Sequence, residues 1–516
     1  MSRHIGIIII ILTIGILSGC RNDFSFAPST GNLSFSRDTV YLDTVFTNIG
    51  SSTYTLKVYN KSKTDIAIPI IQLKNGTQSQ YRLSVDGRTG NSFENVELLA
   101  KDSLFIFIET TVAIEEYAQN ATEFLYTDAI QFDSGDYLQE VALVTLIKDA
   151  IFLYPQKYED GTIESILLGL DQDGEEIRIE GFTLEDEELH FTNERPYVIY
   201  GYAAVSEGKT LVMDPGTRVH FHNSSGLLIG HQGRLEVNGA LSTLSDEMEN
   251  EVLFEGDRLE PGYTDIPGQW GTIWLSAGST AQLTNLTIKN ATVGLLAESN
   301  TNSTTTDFYL SRVQIHNSGT IGLYGLSARL EAVNSIFGNA GQISFYGHLG
   351  GSYQFTHCTF ANYWNKSFRN LPAVLLDNYQ TAEDQNTISV PLEKADFRNC
   401  IIDGTNPIEM LLEKNSSAAF NFKLDHCLLA FNDISGFYSS NPLYDFSNSS
   451  LYNQLIRNLD TDFNVPEKHD FSLRETSMAR GIGSSEIALE TPTDIKGYPR
   501  LPTVDAGAYQ FNPFAN

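Results

Sequence analysis

His357-Cys358-Thr359-Phe360-Ala361-Asn362, Asn399-Cys400-Ile401-Ile402-Asp403-Gly404 and His426-Cys427-Leu428-Leu429 are versions of one phrase. The phrase occurs upstream without cysteine, as Leu286-Thr287-Ile288-Lys289-Asn290, Val313-Gln314-Ile315-His316-Asn317 and Ser335-Ile336-Phe337-Gly338-Asn339. One aligned column reads Leu286, Val313, Ser335, Cys358, Cys400, Cys427, and its members lie 27, 22, 23, 42 and 27 residues apart. Two positions on, a second column reads Ile288, Ile315, Phe337, Phe360, Ile402, Leu429; a third reads Asn290, Asn317, Asn339, Asn362. Period-two alternation makes each phrase a short strand with one face inward. Recurrence at roughly 20–30 residues means that each unit stacks on the one before it. A second strand follows most units, as in Val293-Gly294-Leu295-Leu296, Ile321-Gly322-Leu323-Tyr324, Ile343-Ser344-Phe345 and Ala373-Val374-Leu375-Leu376. Strand, turn, strand, turn at this pitch predicts a right-handed parallel β-helix.

The columns have physical roles in such a stack. Asparagine tolerates left-handed backbone angles and can hydrogen-bond from coil to coil at a repeated tight turn. Cys358, Cys400 and Cys427 read as small buried hydrophobes in one column. Neither a disulfide nor a zinc site is expected, because neighbours in the column belong to different coils and no CxxC spacing occurs. A leucine-rich repeat would share the period, but its recurring leucines and helical segments are missing, and Gly, Asn, Ser and Thr punctuate too densely. Upstream, Gly208 to Phe221, Gly226-Leu227-Leu228-Ile229 and Gly233 to Gly239 continue the pattern.

With these motifs, residues 197–511 resemble the pectin-lyase-like right-handed β-helix proteins, particularly surface lipoproteins of Bacteroidota. The tail strengthens the likeness: Asp494-Ile495-Lys496-Gly497-Tyr498-Pro499-Arg500 followed by Asp505-Ala506-Gly507-Ala508-Tyr509 resembles the closing signature of such β-helices. From Phe26 to about Asp149 the text changes to alternating strands between Asn, Gly, Ser and Asp turns, as in Asp38 to Phe46 and Ser52 to Asn60. That stretch resembles the immunoglobulin-like modules that precede repeat domains in bacterial surface proteins.

The chain opens with Ser2, Arg3 and His4, an isoleucine-rich run from Ile5, and Leu17-Ser18-Gly19-Cys20. A basic head, about 7–15 apolar residues and small residues before a cleavage point describe a secretory signal. The leucine three residues before a cysteine resembles the lipobox, which implies a diacylglycerol on the Cys20 sulfur. The run is shorter than the roughly 20 residues needed to span a bilayer. The expected class is all-β, an N-terminal β-sandwich followed by a right-handed parallel β-helix. By residue, this means a signal peptide over 1–19, a lipid-anchored tether over 20–25, an immunoglobulin-like β-sandwich over 26–149, a β-hairpin connector over 150–196, the β-helix over 197–446 and a C-terminal extension or cap over 447–516.

The chain carries 33 Lys plus Arg against 64 Asp plus Glu, a formal −31, and such a surface repels phosphate backbones, anionic lipid heads and polyuronates at long range. Nucleic acid is therefore no expected partner. Enzymatic signals are sparse. A lyase of the resembled fold implies calcium ligands on one coil face beside an Arg or Lys base, yet the repeats scatter Lys289, Asp307, Arg312, Glu331, Lys394, Asp396 and Arg398. A hydrolase needs paired carboxylates about 5–9.5 Å apart, and nothing singles out Asp377, Glu383 or Asp384. His357 and His426 precede core cysteines and should face out of the coil; with His316 and His348 they read as surface or turn residues.

Aromatics crowd the middle coils. Tyr324, Tyr346, Tyr363, Trp364 and Tyr379 are the candidate contacts for a glycan or a protein partner. Insertions at 298–306 and 380–391 project from the solenoid, where binding faces often lie. The expectation is a lipid-anchored outer-membrane protein facing the cell exterior, a binding or structural component rather than a catalyst. It needs no cofactor beyond the lipid on Cys20 and no metal. Related lipoproteins imply service as an accessory subunit of an outer-membrane barrel, beside other surface lipoproteins, in uptake or barrel assembly. A polysaccharide lyase, hydrolase or glycan-binding protein, and an adhesin, are the alternatives.

Overall fold

The computed structural model describes residues 25–117, 121–171, 173–243, 248–300, 304–382 and 386–513. Cys20 and the acidic pair Glu383 and Asp384 lie outside the described residues. The protein is all-β, 48% strand and 6% helix, and it divides into two compact units, Met1–Asp149 and Ala150–Asn516.

In the first unit, alternation dictates the packing. Along Thr39–Phe46, Val40 and Leu42 are fully buried while Tyr41 between them is exposed. This strand belongs to a six-stranded sheet with Ile66–Leu73, Ser92–Leu98, Glu123–Phe132, Gln139–Lys148 and the short Ala27–Pro28. Tyr54–Tyr59, Ser103–Thr110, Tyr81–Val85 and two shorter strands form a second sheet. Both sheets send alternate residues, such as Leu42 and Ile130 from one and Leu56 and Ile106 from the other, into a single cluster. That arrangement is compatible with a β-sandwich. It is not wholly antiparallel, because Thr39–Phe46 runs parallel to Gln139–Lys148 and Ala27–Pro28 to Ile66–Leu73. Period-two patterning fixes which face is buried but is silent on strand direction.

The second unit is built on two long ladders, one of nineteen parallel strands and one of ten, in which every strand after Ser165–Leu170 pairs in parallel with the next. In the larger, Ile288 pairs with Ile315, Ile315 with Phe337, Phe337 with Phe360, Phe360 with Ile402 and Ile402 with Leu429. The second aligned column of the sequence is thus a line of registered neighbours, one per coil. In the smaller ladder Leu295, Leu323, Phe345, Val374 and Met410 are paired likewise. The geometry is compatible with a parallel β-helix. Residues of both ladders meet in one apolar cluster that runs from Leu153 to Tyr452. The spacing of 42 between Cys358 and Cys400 is still a single coil; the surplus loops out partly as a hairpin of Tyr379–Thr381 with Thr387–Ser389.

Residues 150–196 contain the expected hairpin, Ser165–Leu170 against Glu176–Thr183. They also begin the stack: Ile151–Leu153 pairs with Tyr197–Ile199, and Glu176–Thr183 with Tyr202–Val205, both in parallel.

Two columns of left-handed residues bend the chain. Asn290, Asn317 and Asn339 have φ of 65°, 56° and 49°, and Asn317 donates to Asn290 Oδ1 at 2.6 Å. The ladder then changes partners: Asn339 donates to Pro466 O, and Asn362, outside the left-handed set, donates to Ala340 O. The other column, just before the Leu286-to-Cys427 line, comprises Asn285, Arg312, Asn334, His357, Asn399 and His426, with φ between 47° and 55°. The three cysteines are free and fully buried in register; Cys358 N donates to Cys400 Sγ, and Cys400 N to Cys427 Sγ, both at 3.4 Å.

The C-terminal segment, expected as an extension or cap, does two things. Tyr452–Asn453 and Ile456–Arg457 extend the large ladder. Beyond them the chain returns along the flank: Phe463, Phe471, Ile495, Ala506 and Ala508 pack on Ile336, Ala361, Ile401 and Leu428, outward-facing residues of successive coils. This strap explains the closing signature. Asp494 Oδ1 accepts from the Lys496 and Tyr498 amides, and its Oδ2 from the Gln510 amide. Arg500, fully buried, donates to Asn334 Oδ1 at 2.7 Å and to the Gly507 and Ala508 carbonyls. Burial pulls its guanidinium down to about 10 against the opposing pull of Asp494 and Asp505.

Phe360 stacks on Phe337 and meets Phe355 and Phe397 edge-on inside the coils. Phe360→Ala is expected to cost about 3–5 kcal/mol through lost transfer energy and the void left behind, read as a lower urea midpoint by circular dichroism. Arg500→Ala is expected to undock the strap before the coils melt, seen as early protease cleavage C-terminal to the last ladder strand.

Candidate functional site: an aromatic stack on the coil wall

The outward column of the smaller ladder is apolar and aromatic along several coils: Leu228, Trp274, Leu296, Tyr324, Tyr346, Leu375 and Leu411 are registered neighbours. Its first stretch is covered by Ile166, Leu168 and Ile179 of the hairpin. Tyr324 and Tyr346 stack with centroids 5.3 Å apart and planes 12° apart, which follows from placing like side chains on adjacent parallel strands. Both rings are partly buried.

Beside them lies Asp377, only 4% exposed. Its Oδ2 accepts from Tyr346 Oη at 2.7 Å, its Oδ1 from the Leu349 amide at 2.7 Å, and His348 Nδ1 sits 2.9 Å from both oxygens. Burial, then the hydrogen bond and charge of Asp377, push the Tyr346 hydroxyl well above the ordinary tyrosine value, so it is a proton donor at all working pH. His348 Nδ1 is committed to the carboxylate, and its Nε2 makes no hydrogen bond among the described residues. Tyr379, in the projecting hairpin, is pushed up by burial and by the charges of Glu413 and Asp377.

Of the candidate contacts, the fold therefore brings Tyr324 and Tyr346 together, with Tyr379 electrostatically linked to the same acid. Tyr363 and Trp364 lie elsewhere. Tyr363 donates to Asp403 Oδ2 at 2.9 Å and packs edge-on against Phe463 of the strap. Trp364, 9% exposed, donates to Ser367 Oγ at 2.8 Å.

Not every histidine is the surface or turn residue expected, although His426, half-buried at a left-handed corner, is one. His357 occupies a left-handed corner, but the strap covers it and it is 0% exposed; burial pulls its pKa well down. His426 pairs with Asp425 at 2.7 Å. His316 is stacked on His469 of the strap at 4.5 Å. The contacts of His316 and His357 were invisible in local sequence because they come from the covering strap, whereas His426 pairs with its immediate chain neighbour.

Sequence reasoning missed Glu409. It is fully buried, holds Arg369 in a two-pronged pair at 2.6 and 2.9 Å, and accepts from the Ala373 and Asn406 amides. Even so, burial dominates and raises its pKa. Asp403 is likewise raised by burial, while accepting from Tyr363, Thr461 and the Gly404 amide. Among the described residues no group of three or more His, Cys, Asp or Glu is placed to hold a metal ion. No helix there is long and apolar enough to cross a membrane.

No protein-family model matches the chain, and no curated protein does. Solved structures give only partial likenesses. The periplasmic chaperone SfaE is 12% identical, over 23% of this chain and 58% of that one, with a TM-score of 0.16. A family 123 glycoside hydrolase from Clostridium perfringens is 7% identical, over 23% of this chain and 26% of that one, at 0.16. The PapD-like domain 7 of human CEP192 is 10% identical, over 26% of this chain and 94% of that one, at 0.15. At such scores these likenesses carry no argument about fold or function.

His316 and His469 generate a pH dependence. Burial pulls both below the ordinary value of 6.5, with Asp265 opposing at His469. The folded state then favours the neutral rings, so their contribution is complete above about 6.5 and is lost as pH falls from there toward the depressed folded values. His316→Phe keeps a ring in the stack and is expected to shrink the fall in Tm between about pH 7.5 and 5.5 relative to the unaltered protein, by differential scanning fluorimetry.

Proposed function

We propose that this chain is a non-catalytic binding component of a bacterial envelope, tethered to the outer membrane by a lipid on Cys20 and displaying its coil wall to a membrane-embedded barrel partner. One observation carries the non-catalytic reading. Three acids of the middle coils, Asp377, Asp403 and Glu409, are each committed to fixed internal donors. A carboxylate that accepts from rigid backbone amides and hydroxyls stabilises the fold and has little freedom to cycle a proton. The binding reading is supported by the rigid, registered stack of Tyr324 and Tyr346 on a half-buried apolar column, because pre-ordered aromatic surface loses little entropy on association.

Affinity purification from detergent-solubilised outer membranes tests the reading. A stoichiometric barrel protein is expected to accompany the full chain, and Tyr324→Ala with Tyr346→Ala is expected to reduce its recovery at least about tenfold. Recovery of the chain alone, or turnover of any glycan by the purified protein, contradicts it. Asp377→Asn is expected to lower stability by about 1–3 kcal/mol, measured by chemical denaturation, and to leave any partner recovery nearer to that of the unaltered chain than the tyrosine pair does.

A further inference from the structure

A second surface lies away from the aromatic stack, where the C-terminal strap meets the larger ladder. Two outward columns form its floor: Tyr309, Glu331 and Gln354 are registered neighbours, and so are Ser311, Val333 and Thr356. Residues 490–493 of the strap form its wall, and together they border an open cleft of about 280 Å³. That is close to the roughly 300 Å³ at which small-molecule sites begin. The wall is pinned from below. Arg312, the one arginine in the column of left-handed corners, donates through Nη2 to Thr493 Oγ1 at 2.9 Å and through Nε to Asp494 O. Asn334 donates to Thr493 O at 2.8 Å. An arginine at φ 55° where asparagine serves in neighbouring coils marks a side chain kept for its reach.

The unspent polar groups converge on this cleft. Among the described residues, the hydroxyls of Tyr309, Ser311 and Thr356 and the Nη1 of Arg312 make no internal hydrogen bond. Glu331 accepts from Gln354 through Oε1 and keeps Oε2 open. Burial and the Glu331 charge hold the Tyr309 hydroxyl protonated. The lining thus presents alternating donors and acceptors at the spacing of adjacent strands, about 4.8 Å, beside one aromatic ring. Glu490 is already held by Arg398 at 2.6 and 2.8 Å, and Glu331 shares the lining with Arg312. The cleft therefore offers no net charge to select an ion, and the formal −31 of the protein disfavours an anion at long range. An apolar ligand would find little beyond Val333 and Pro492. A neutral molecule whose hydroxyls both donate and accept matches the set.

We propose that this shelf binds a neutral sugar residue. The inference rests on the reading of the chain as a non-catalytic binding component and names the class of ligand it takes. Saturation-transfer NMR on the purified full chain, with neutral hexoses and their disaccharides as probes and galacturonate and glucosamine as charged controls, tests it. At least one neutral probe is expected to bind with Kd near 1 mM or tighter, and galacturonate to bind more weakly. Tyr309→Phe and Glu331→Gln are each expected to weaken binding about fivefold or more with Tm unchanged, whereas Tyr324→Phe leaves it intact. Absence of binding by every neutral probe, preference for galacturonate, or binding that survives both shelf substitutions overturns the proposal. If no sugar binds while the barrel partner co-purifies, the sugar shelf alone fails. If a bound sugar is cleaved, the non-catalytic reading fails, and the shelf substitutions still decide where that sugar sits.

Discussion

Each coil of the second unit is joined to its neighbours by parallel backbone hydrogen bonds, and this pairing holds Ile288, Ile315, Phe337, Phe360, Ile402 and Leu429 in one line. A single coil has too little apolar surface to bury its own strands. Shifting one coil by one residue would turn its inward column to solvent and carry polar residues into the cluster. Register is therefore the constraint on which the rest depends. The stacked cysteines, the paired tyrosines and the two-column floor under the strap all exist because equivalent positions recur at strand spacing.

Side features are fastened to this stack by buried polar contacts rather than by more strands. Arg369 and Glu409, at 2% and 0% side-chain exposure, clamp the turn that follows Trp364. Such a pair adds little net stability but is costly to break, since removing either partner strands a buried charge. Arg500 plays the corresponding part for the strap, reading the carbonyls of Gly507 and Ala508 and the side chain of Asn334 at once. These groups specify where a loop lands, while the apolar interior supplies the stability that holds it there.

The coil interior was legible because its signal is periodic: Phe337 and Phe360 occupy equivalent places in equivalent phrases, and the structure pairs them. Asn290 and Asn317 were legible for the same reason, and their side chains do form a rung. The left-handed corner escaped notice because Asn, Arg and His all fill it, so no single residue type marks the column at Asn285, Arg312 and His357. The strap escaped because Ile336, Ala361, Ile401 and Leu428 look like an ordinary second half of an alternating strand, and only the distant segment that covers them explains their burial. Of the aromatic candidates, Tyr324 and Tyr346 share a register position, which is why sequence crowding and spatial stacking coincide there. Tyr363 and Trp364 crowd the same stretch of sequence but leave the strand for a turn, where burial and local hydrogen bonds claim them.

The strap has an implication for how the chain is made. Ribosomes deliver Ile336, Ala361, Ile401 and Leu428 well before Ile495, Ala506 and Ala508, which shield them. During that interval the nascent molecule presents a greasy flank, an invitation to chaperones and to self-association. A message cut short near its 3′ end would leave that flank bare permanently, giving quality-control proteases a feature by which to tell an unfinished product from a finished one.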